Sequence, residues 1–151
     1  MRAVVTRVSS ASVAIDGAVR GQIGRGFLIL LGVGPEDTEQ HARKLAEKIL
    51  GLRVFEDEAG KINKDLSDVG GSVLVISQFT LYADCRKGRR PNFMGAAAPE
   101  LGSAMYETFL AICAELGYPP QHGEFGACMQ VASVNDGPVT LILDTDELMK
   151  K

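Results

Sequence analysis

The hydrophobic positions change their period several times along the chain, and each change marks an element. Arg2–Val8 mixes β-branched and polar residues in the manner of an edge or half-buried strand. Ser12–Ile15 alternates, Asp16-Gly17 supplies a tight hairpin turn, and Val19–Ile23 forms the return strand. Phe27–Val33 is a continuous apolar run closed by Gly34-Pro35, which predicts a strand buried on both faces. The period then lengthens. Ala42, Leu45, Ala46 and Ile49 recur at helical spacing, so a helix opens at Asp37 or Thr38. With Asp37 as N-cap, Gln40 stands where a capping box needs it. Gly51 is suited to end the helix in a left-handed conformation.

Leu52–Phe55 resumes as a strand, and the polar stretch Glu56–Lys64, with Gly60, reads as a turn or short hairpin. Ser72–Ile76 is a second buried strand and runs into Ser77-Gln78-Phe79-Thr80-Leu81. Ala83–Ala98 has no clean period and contains Gly88, Pro91 and Gly95, which predicts a long loop. Pro99 opens a second helix where its missing N–H costs nothing. Leu101, Met105, Thr108, Phe109, Ile112 and Leu116 form its expected buried stripe, and Gly117 with Pro119 ends it. Ala127–Val134 and Val139–Leu143 are strands joined by Asn135-Asp136-Gly137-Pro138. Strands do not alternate strictly with helices, so a doubly wound parallel sheet fits poorly. The pattern predicts an α/β chain with mixed, barrel-like sheet layers and two main helices packed on one side.

Composition narrows this picture. The 151 residues suit a single domain, 1–151, and 46% apolar with 23% charged residues is an ordinary globular balance that argues against disorder. A net charge of −3 excludes a dedicated duplex-DNA binder, so any nucleic-acid contact must come from a local patch. Cys85, Cys113 and Cys128 are odd in number and lack metal-ligand spacing, which favours a reducing cytosol over a disulfide framework. The start MRAVVTRVSS lacks a signal core, and the longest apolar run, Phe27–Leu31, is too short for a membrane span. A cytoplasmic protein without a membrane partner is expected. The chain has only His41 and His122, and no H-E-x-x-H or C-x-x-C pattern, so no metal is expected. Gly24–Gly34 lacks a complete phosphate-loop signature, so no nucleotide cofactor is expected either.

Three segments carry candidate chemistry. Ser77-Gln78-Phe79-Thr80 ends a buried strand, where freed N–H groups could hold an oxyanion and Thr80 offers a hydroxyl. The plainer reading is a strand end whose Ser and Thr satisfy the backbone. In Asn135-Asp136-Gly137-Pro138, an X-Pro bond is open to the cis form and Gly137 lets a ligand approach its carbonyl. The plainer reading is a hairpin turn. Arg86, Lys87, Arg89 and Arg90 cluster ahead of Pro91-Asn92-Phe93 in an acidic chain, as a phosphate-binding patch beside an aromatic or as a solvated loop. His41 falls on the charged face of the first helix, and Cys128 reads as a core residue of its strand. Ser77 with His122 has no nucleophile-elbow pattern to support a dyad.

At these residues the chain resembles the D-aminoacyl-tRNA deacylase family, also called D-Tyr-tRNA deacylase, from end to end. The resemblance runs through MRAVVTRVSSASVAIDG, LRVFEDEAGKIN, SQFTLYAD, KGRRPNF, GEFGACMQV and NDGPVTLILD. It implies a homodimer with a β-rich α/β fold and an active site at the subunit interface. It implies that Ser77, Gln78, Phe79 and Thr80 form the catalytic motif, and that Phe125 and Met129 line the substrate pocket. Gly137-Pro138 would be a Gly-cisPro element inserted into the opposite subunit's site, supported by Arg7 and Asn135. Cys128 stands where many members carry a polar residue, often Asp, and Ala132-Ser133 departs from a commoner aliphatic pattern.

The implied reaction is hydrolysis of the ester that joins a D-amino acid to the 3′ end of tRNA, with glycyl-tRNA mischarged on tRNA-Ala as a further substrate. Water attacks the carbonyl, and backbone N–H groups around Gln78–Thr80 hold the oxyanion. No base adjoins Thr80, which favours a positioning role over a covalent acyl-enzyme. The basic cluster Arg86–Arg90 would hold acceptor-end phosphates. Two other functions fit the same residues: a deacylase of relaxed chirality with a trans Gly-Pro, acting on L-Ala-tRNA, and a non-catalytic RNA-binding module.

Overall fold

The computed structural model describes all 151 residues. In chain order the elements are β1 (Arg2–Ile15), β2 (Ala18–Ile23), β3 (Gly26–Gly32), α1 (Glu39–Leu50), β4 (Phe55–Glu56), β5 (Ile62–Lys64) and α2 (Leu66–Val69). There follow β6 (Ser72–Ser77), a 3₁₀ turn (Phe79–Tyr82), α3 (Pro99–Glu115), β7 (Gln121–His122), β8 (Gln130–Asp144) and α4 (Thr145–Leu148). No helix is long and apolar enough to cross a membrane.

β1 organises the main sheet. Its first half pairs with β3 and its second half with β2, both antiparallel, while β8 runs antiparallel along its other edge. β6 joins β3 in parallel, and β7 joins β6 in parallel. The sheet curls until its ends approach: a Cβ on Gly21 of β2 would lie 3.0 Å from the His122 carbonyl oxygen of β7. This is the barrel-like mixed sheet that the pattern predicts, and α1 and α3 cover one side of it.

The apolar runs of β3 and β6 serve two cores. Phe27, Ile29, Val73 and Val75 face α1 and α3, where they meet Leu45, Ile49, Phe109 and Ile112. Leu28, Leu74 and Ile76 point into the curl, against Val8, Val13 and Ile23. Burial of such side chains supplies about 1.5–3 kcal/mol each. Tyr106 enters the first core whole and donates its hydroxyl to the Val75 carbonyl at 2.9 Å, and burial raises its pKa.

Several expectations need correction. The segments Arg2–Val8 and Ser12–Ile15 are one strand, which switches faces where Ser9 and Ser10 are exposed. β8 is also continuous, so Asn135–Pro138 is not a loop between two strands. Register explains both. Thr6 pairs with Thr140 and Val8 with Asn135, so Arg7 alone stands opposite the four residues Asp136–Val139. A bulge of this kind bends its strand and pushes the extra residues outward.

The first helix is capped by Thr38, whose N–H donates to His41 Nδ1 at 3.0 Å. Asp37 is drawn away from the cap, because its carboxylate accepts from the Gly34 N–H at 2.7 Å and from the Met1 amine at 2.8 Å. Gly51 has φ −96° and is not left-handed. Leu52–Phe55 contributes only Phe55 to a strand, in the small β4–β5 hairpin. The buried stripe of α3 is Gly102, Tyr106, Phe109, Leu110, Ile112 and Cys113, rotated from the expected one, and Leu116 is exposed. Gly102 sets this phase: its missing side chain makes room for the Phe125 ring, 3.3 Å from where a Cβ would be. Cys128 precedes β8 and is exposed, so it is not a core residue.

Candidate active site

β6 delivers the Ser77–Thr80 segment to the rim of the sheet. The Gln78 N–H donates to the Leu31 carbonyl at 2.7 Å, the last tie between this segment and β3. The chain then winds into the 3₁₀ turn, closed by Leu81 N–H to Gln78 O at 3.2 Å and Ala83 N–H to Thr80 O at 3.0 Å. The first N–H groups of a helical turn have no acceptor within it. Gln78's is used by Leu31, whereas those of Phe79 and Thr80 have no acceptor within the turn. The Gln78 side-chain amide donates to Thr80 Oγ1 at 2.5 Å. The Thr80 hydroxyl is thereby oriented and keeps its own proton to donate.

A cavity of about 590 Å³ opens beside this segment. Ser77, Gln78 and Phe79 form one wall, Phe93 and Ala97 a second, and Phe125 and Met129 a third. The lining is mostly apolar with a few polar groups at one end, the usual make-up of a small-molecule site. Gly126, at φ +80°, makes the turn that presents Phe125. The structure thus gathers five of the sequence-selected residues around one space, and Thr80 adjoins it through Gln78. It adds Phe93, Ala96 and Ala97 from the loop ahead of α3 and Pro99 at the start of that helix, none of them expected in the pocket from sequence. Phe93 had a visible signal, as the aromatic that closes the basic cluster.

Gly137 and Pro138 do not line this cavity in their own chain. They are exposed on the β8 bulge, joined by a cis peptide. Arg7, only 5% exposed, fixes the bulge from within. Its Nε donates to the Asp136 carbonyl at 2.9 Å and its Nη1 to the Val54 carbonyl at 2.7 Å. Asn135 closes the base: Oδ1 accepts from the Val139 N–H at 3.0 Å, and Nδ2 donates to Thr140 Oγ1 at 2.9 Å. The same strand exposes Val131, Val134 and Ile142 and pairs with β1 on one edge only.

The basic cluster lies in a loop pinned by main-chain bonds between Asp84 and Asn92. Asp84 takes both Arg86 Nε and Nη2, at 2.9 and 2.8 Å, and this pairing holds the Asp84 carboxyl below its usual range. Arg86 is therefore paired with a counter-charge, while Lys87, Arg89 and Arg90 form no ion pair; all four are exposed. Phe93 meets Phe79 edge-on, with ring centroids 5.2 Å apart, so the loop is joined to the rim of the cavity. His122 is exposed, with Nδ1 2.7 Å from the Gly123 carbonyl oxygen.

The family model described as D-Tyr-tRNA(Tyr) deacylase matches residues 4–144. The chain belongs to this family. Among its relatives, a "D-aminoacyl-tRNA deacylase" of Thermus aquaticus is 58% identical, over 97% of this chain and 97% of its own. One of the same name from Desulfatibacillum aliphaticivorans is 57% identical, over 96% of this chain and 99% of its own. A solved structure titled "c-Myc DNA Unwinding Element Binding Protein" is 44% identical and superposes with a TM-score of 0.90, covering 95% of this chain and 98% of its own. A structure titled "Structural Analysis of a probable eukaryotic D-amino acid tRNA deacylase", 17% identical, shares the fold with a TM-score of 0.79, covering 94% of this chain and 97% of its own.

Proposed function

We propose that the chain hydrolyses the ester between a D-aminoacyl group and the terminal ribose of tRNA, in the cytosol and as a homodimer. The observation that carries this reading is the convergence of Ser77–Phe79 with Phe125 and Met129 around one cavity, in a chain of this family. The reaction needs a site for the oxyanion that forms when water attacks the ester carbonyl. The N–H groups of Phe79 and Thr80 supply it, and the loss of one such donor costs about 10²–10³ in rate. Thr80, held by Gln78 and without a neighbouring base, orients the ester or the water and forms no acyl-enzyme. The ribose hydroxyl beside the ester assists the water.

D- and L-aminoacyl groups have the same atoms, so only a fixed obstacle separates them. The Gly137-Pro138 bulge is that obstacle. It is exposed on its own protomer, braced by Arg7 and Asn135, and carried by a strand with a free edge and exposed Val131, Val134 and Ile142. In the dimer it enters the partner's cavity, where its carbonyls meet the amino group and crowd the position of an L side chain. Glycyl-tRNA lacks that side chain and is accepted. Lys87, Arg89 and Arg90 hold acceptor-end phosphates beside the cavity.

The test is hydrolysis of D-Tyr-, L-Tyr- and glycyl-tRNA measured side by side. The reading expects turnover of the first and third and none of the second. Turnover of L-Tyr- or L-Ala-tRNA at a comparable rate would replace it with a deacylase of relaxed chirality. Binding of tRNA without any hydrolysis would leave an RNA-binding module.

A further inference from the structure

We propose that Arg2 is a positioning residue for the reaction, because it clamps the 3₁₀ turn that carries Thr80. Arg2 lies in the sheet between Gly32 of β3 and Asp144 of β8, and pairs in register with both. Its side chain makes three contacts, two of them on the turn. Nη1 donates to the Leu81 carbonyl at 3.0 Å, one residue beyond Thr80. The guanidinium carbon stands 4.3 Å from the centre of the Tyr82 ring. Nε donates to Asp144 Oδ2 at 3.0 Å, which fixes the plane of the group. A planar guanidinium does all three at once, whereas an ammonium does not.

The surroundings show why a clamp is needed. The turn rests on the end of β3 and the residues just past it, where Gly32 and Gly34 offer no side chains to grip it. A Cβ on Gly32 would lie 3.0 Å from Leu81 Cβ and 3.2 Å from the Gln78 carbonyl oxygen, and one on Gly34 would lie 3.1 Å from the Tyr82 hydroxyl. The glycines let the turn sit close to the strand but add no contacts of their own. At its start the turn is tied by the Gln78–Leu31 bond, and at its end by Arg2. A cation at the carbonyl end of a helical turn is also favoured electrostatically. Thr80 and the N–H groups of Phe79 and Thr80 lie between these two ties. Burial raises the pKa of the Tyr82 hydroxyl, so the ring beneath Arg2 is the neutral phenol.

This inference rests on the reading of the Gln78–Thr80 turn as the catalytic element. It assigns Arg2 an effect on kcat rather than on substrate affinity, since Arg2 does not line the cavity. A small displacement of a catalytic group costs up to about 10²-fold in rate.

The experiment compares Arg2→Met, Asp144→Asn and the double variant in the whole protein, with kcat and KM on D-Tyr-tRNA and thermal unfolding of each. Asn at 144 keeps the acceptor that Asp144 offers to the Asp146 N–H, so α4 retains its cap. Arg2→Met is expected to lower kcat by roughly 10–100-fold with KM nearly unchanged. Asp144→Asn should lower kcat less, and the double variant should match Arg2→Met alone. In Arg2→Ala, added methylguanidinium below denaturing concentrations should restore part of kcat, because the Arg2 site is partly open to solvent. A wild-type kcat in Arg2→Met overturns the inference, as does a loss that follows only the unfolded fraction without rescue. Losses that multiply in the double variant also overturn it. The combined variant Gln78→Ala/Thr80→Ala is measured in parallel. If it loses turnover while Arg2→Met does not, only the clamp falls. If it turns over normally, the catalytic reading of the turn falls and the clamp with it.

Discussion

The guanidinium of Arg7 lies against the bare Cα of Gly137, so closely that a Cβ added there would stand 2.7 Å from Arg7 Nη2. Gly137 also has φ +130°, where a side chain is strained. Gly137→Ala is therefore expected to displace Arg7 from the Asp136 and Val54 carbonyls and to cost roughly 2–4 kcal/mol of stability. Urea unfolding measures the cost. On the proposed function, the same variant should retain hydrolysis of D-Tyr-tRNA while its rejection of L-Tyr-tRNA weakens.

The basic loop is not uniform, and its charges should behave differently. Neutralising Lys87, Arg89 or Arg90 should each weaken tRNA binding and lower the slope of log K against log salt by about 0.7–0.9. Arg86→Ala should change the slope less, because Asp84 already balances that charge. The folded Asp84 carboxyl titrates below its ordinary value, so the pair is intact at and above the ordinary range. It is lost only as pH falls through the lowered value. Titration of tRNA binding between about pH 5 and 8 should show no step from this pair.

The Met1 amine and the Asp37 carboxylate form an ion pair of 2.8 Å with side-chain exposures of 0% and 7%. Thr145 Oγ1 accepts a second bond from the same amine at 2.8 Å, which ties the first residue to α4. Asp37→Asn leaves a buried ammonium without its counter-charge and should cost about 3 kcal/mol. Chemical denaturation should show a lower midpoint with an unchanged slope.

Cys113 is buried on the core side of α3, and burial pushes its thiol up to about 12, whereas Cys85 and Cys128 are exposed. A thiol reagent should label Cys85 and Cys128 in the folded protein and reach Cys113 only after unfolding. Cys128 sits between the cavity residues Ala127 and Met129. A bulky adduct there should slow deacylation, and Cys128→Ser should protect against it.

The buried strands were legible because β3 and β6 are covered on both faces, which leaves an unbroken apolar run in each. The face switch in β1 was not, since exposed Ser9 and Ser10 look like the end of a strand when their partner across the sheet is unknown. The phase of α3 is hidden from the apolar pattern because Gly102 weighs nothing in it yet packs against Phe125. The first helix cap went to Thr38 because Asp37 has a distant competitor in the Met1 amine. At the site, the strand end at Ser77 was visible as a change from apolar to polar residues. Its meeting with Phe125 and Met129 came from the resemblance, as no local pattern joins them. Arg2 and Tyr82 carried no signal, because their contact joins residues far apart in the sequence.

On the proposed function each cavity is completed by the other protomer's Gly137-Pro138 bulge, and this is decided by mixed dimers. One subunit carries Gly137→Ala with an intact cavity. The other carries Gln78→Ala/Thr80→Ala, shown beforehand to be inactive alone, with an intact bulge. In a heterodimer isolated through two different tags, the surviving cavity faces the intact bulge. D-Tyr-tRNA should be hydrolysed and L-Tyr-tRNA rejected once more, although the Gly137→Ala homodimer is expected to hydrolyse both. Hydrolysis of L-Tyr-tRNA by the heterodimer at half the homodimer's rate would contradict it, because each cavity would then depend on its own chain's Gly137.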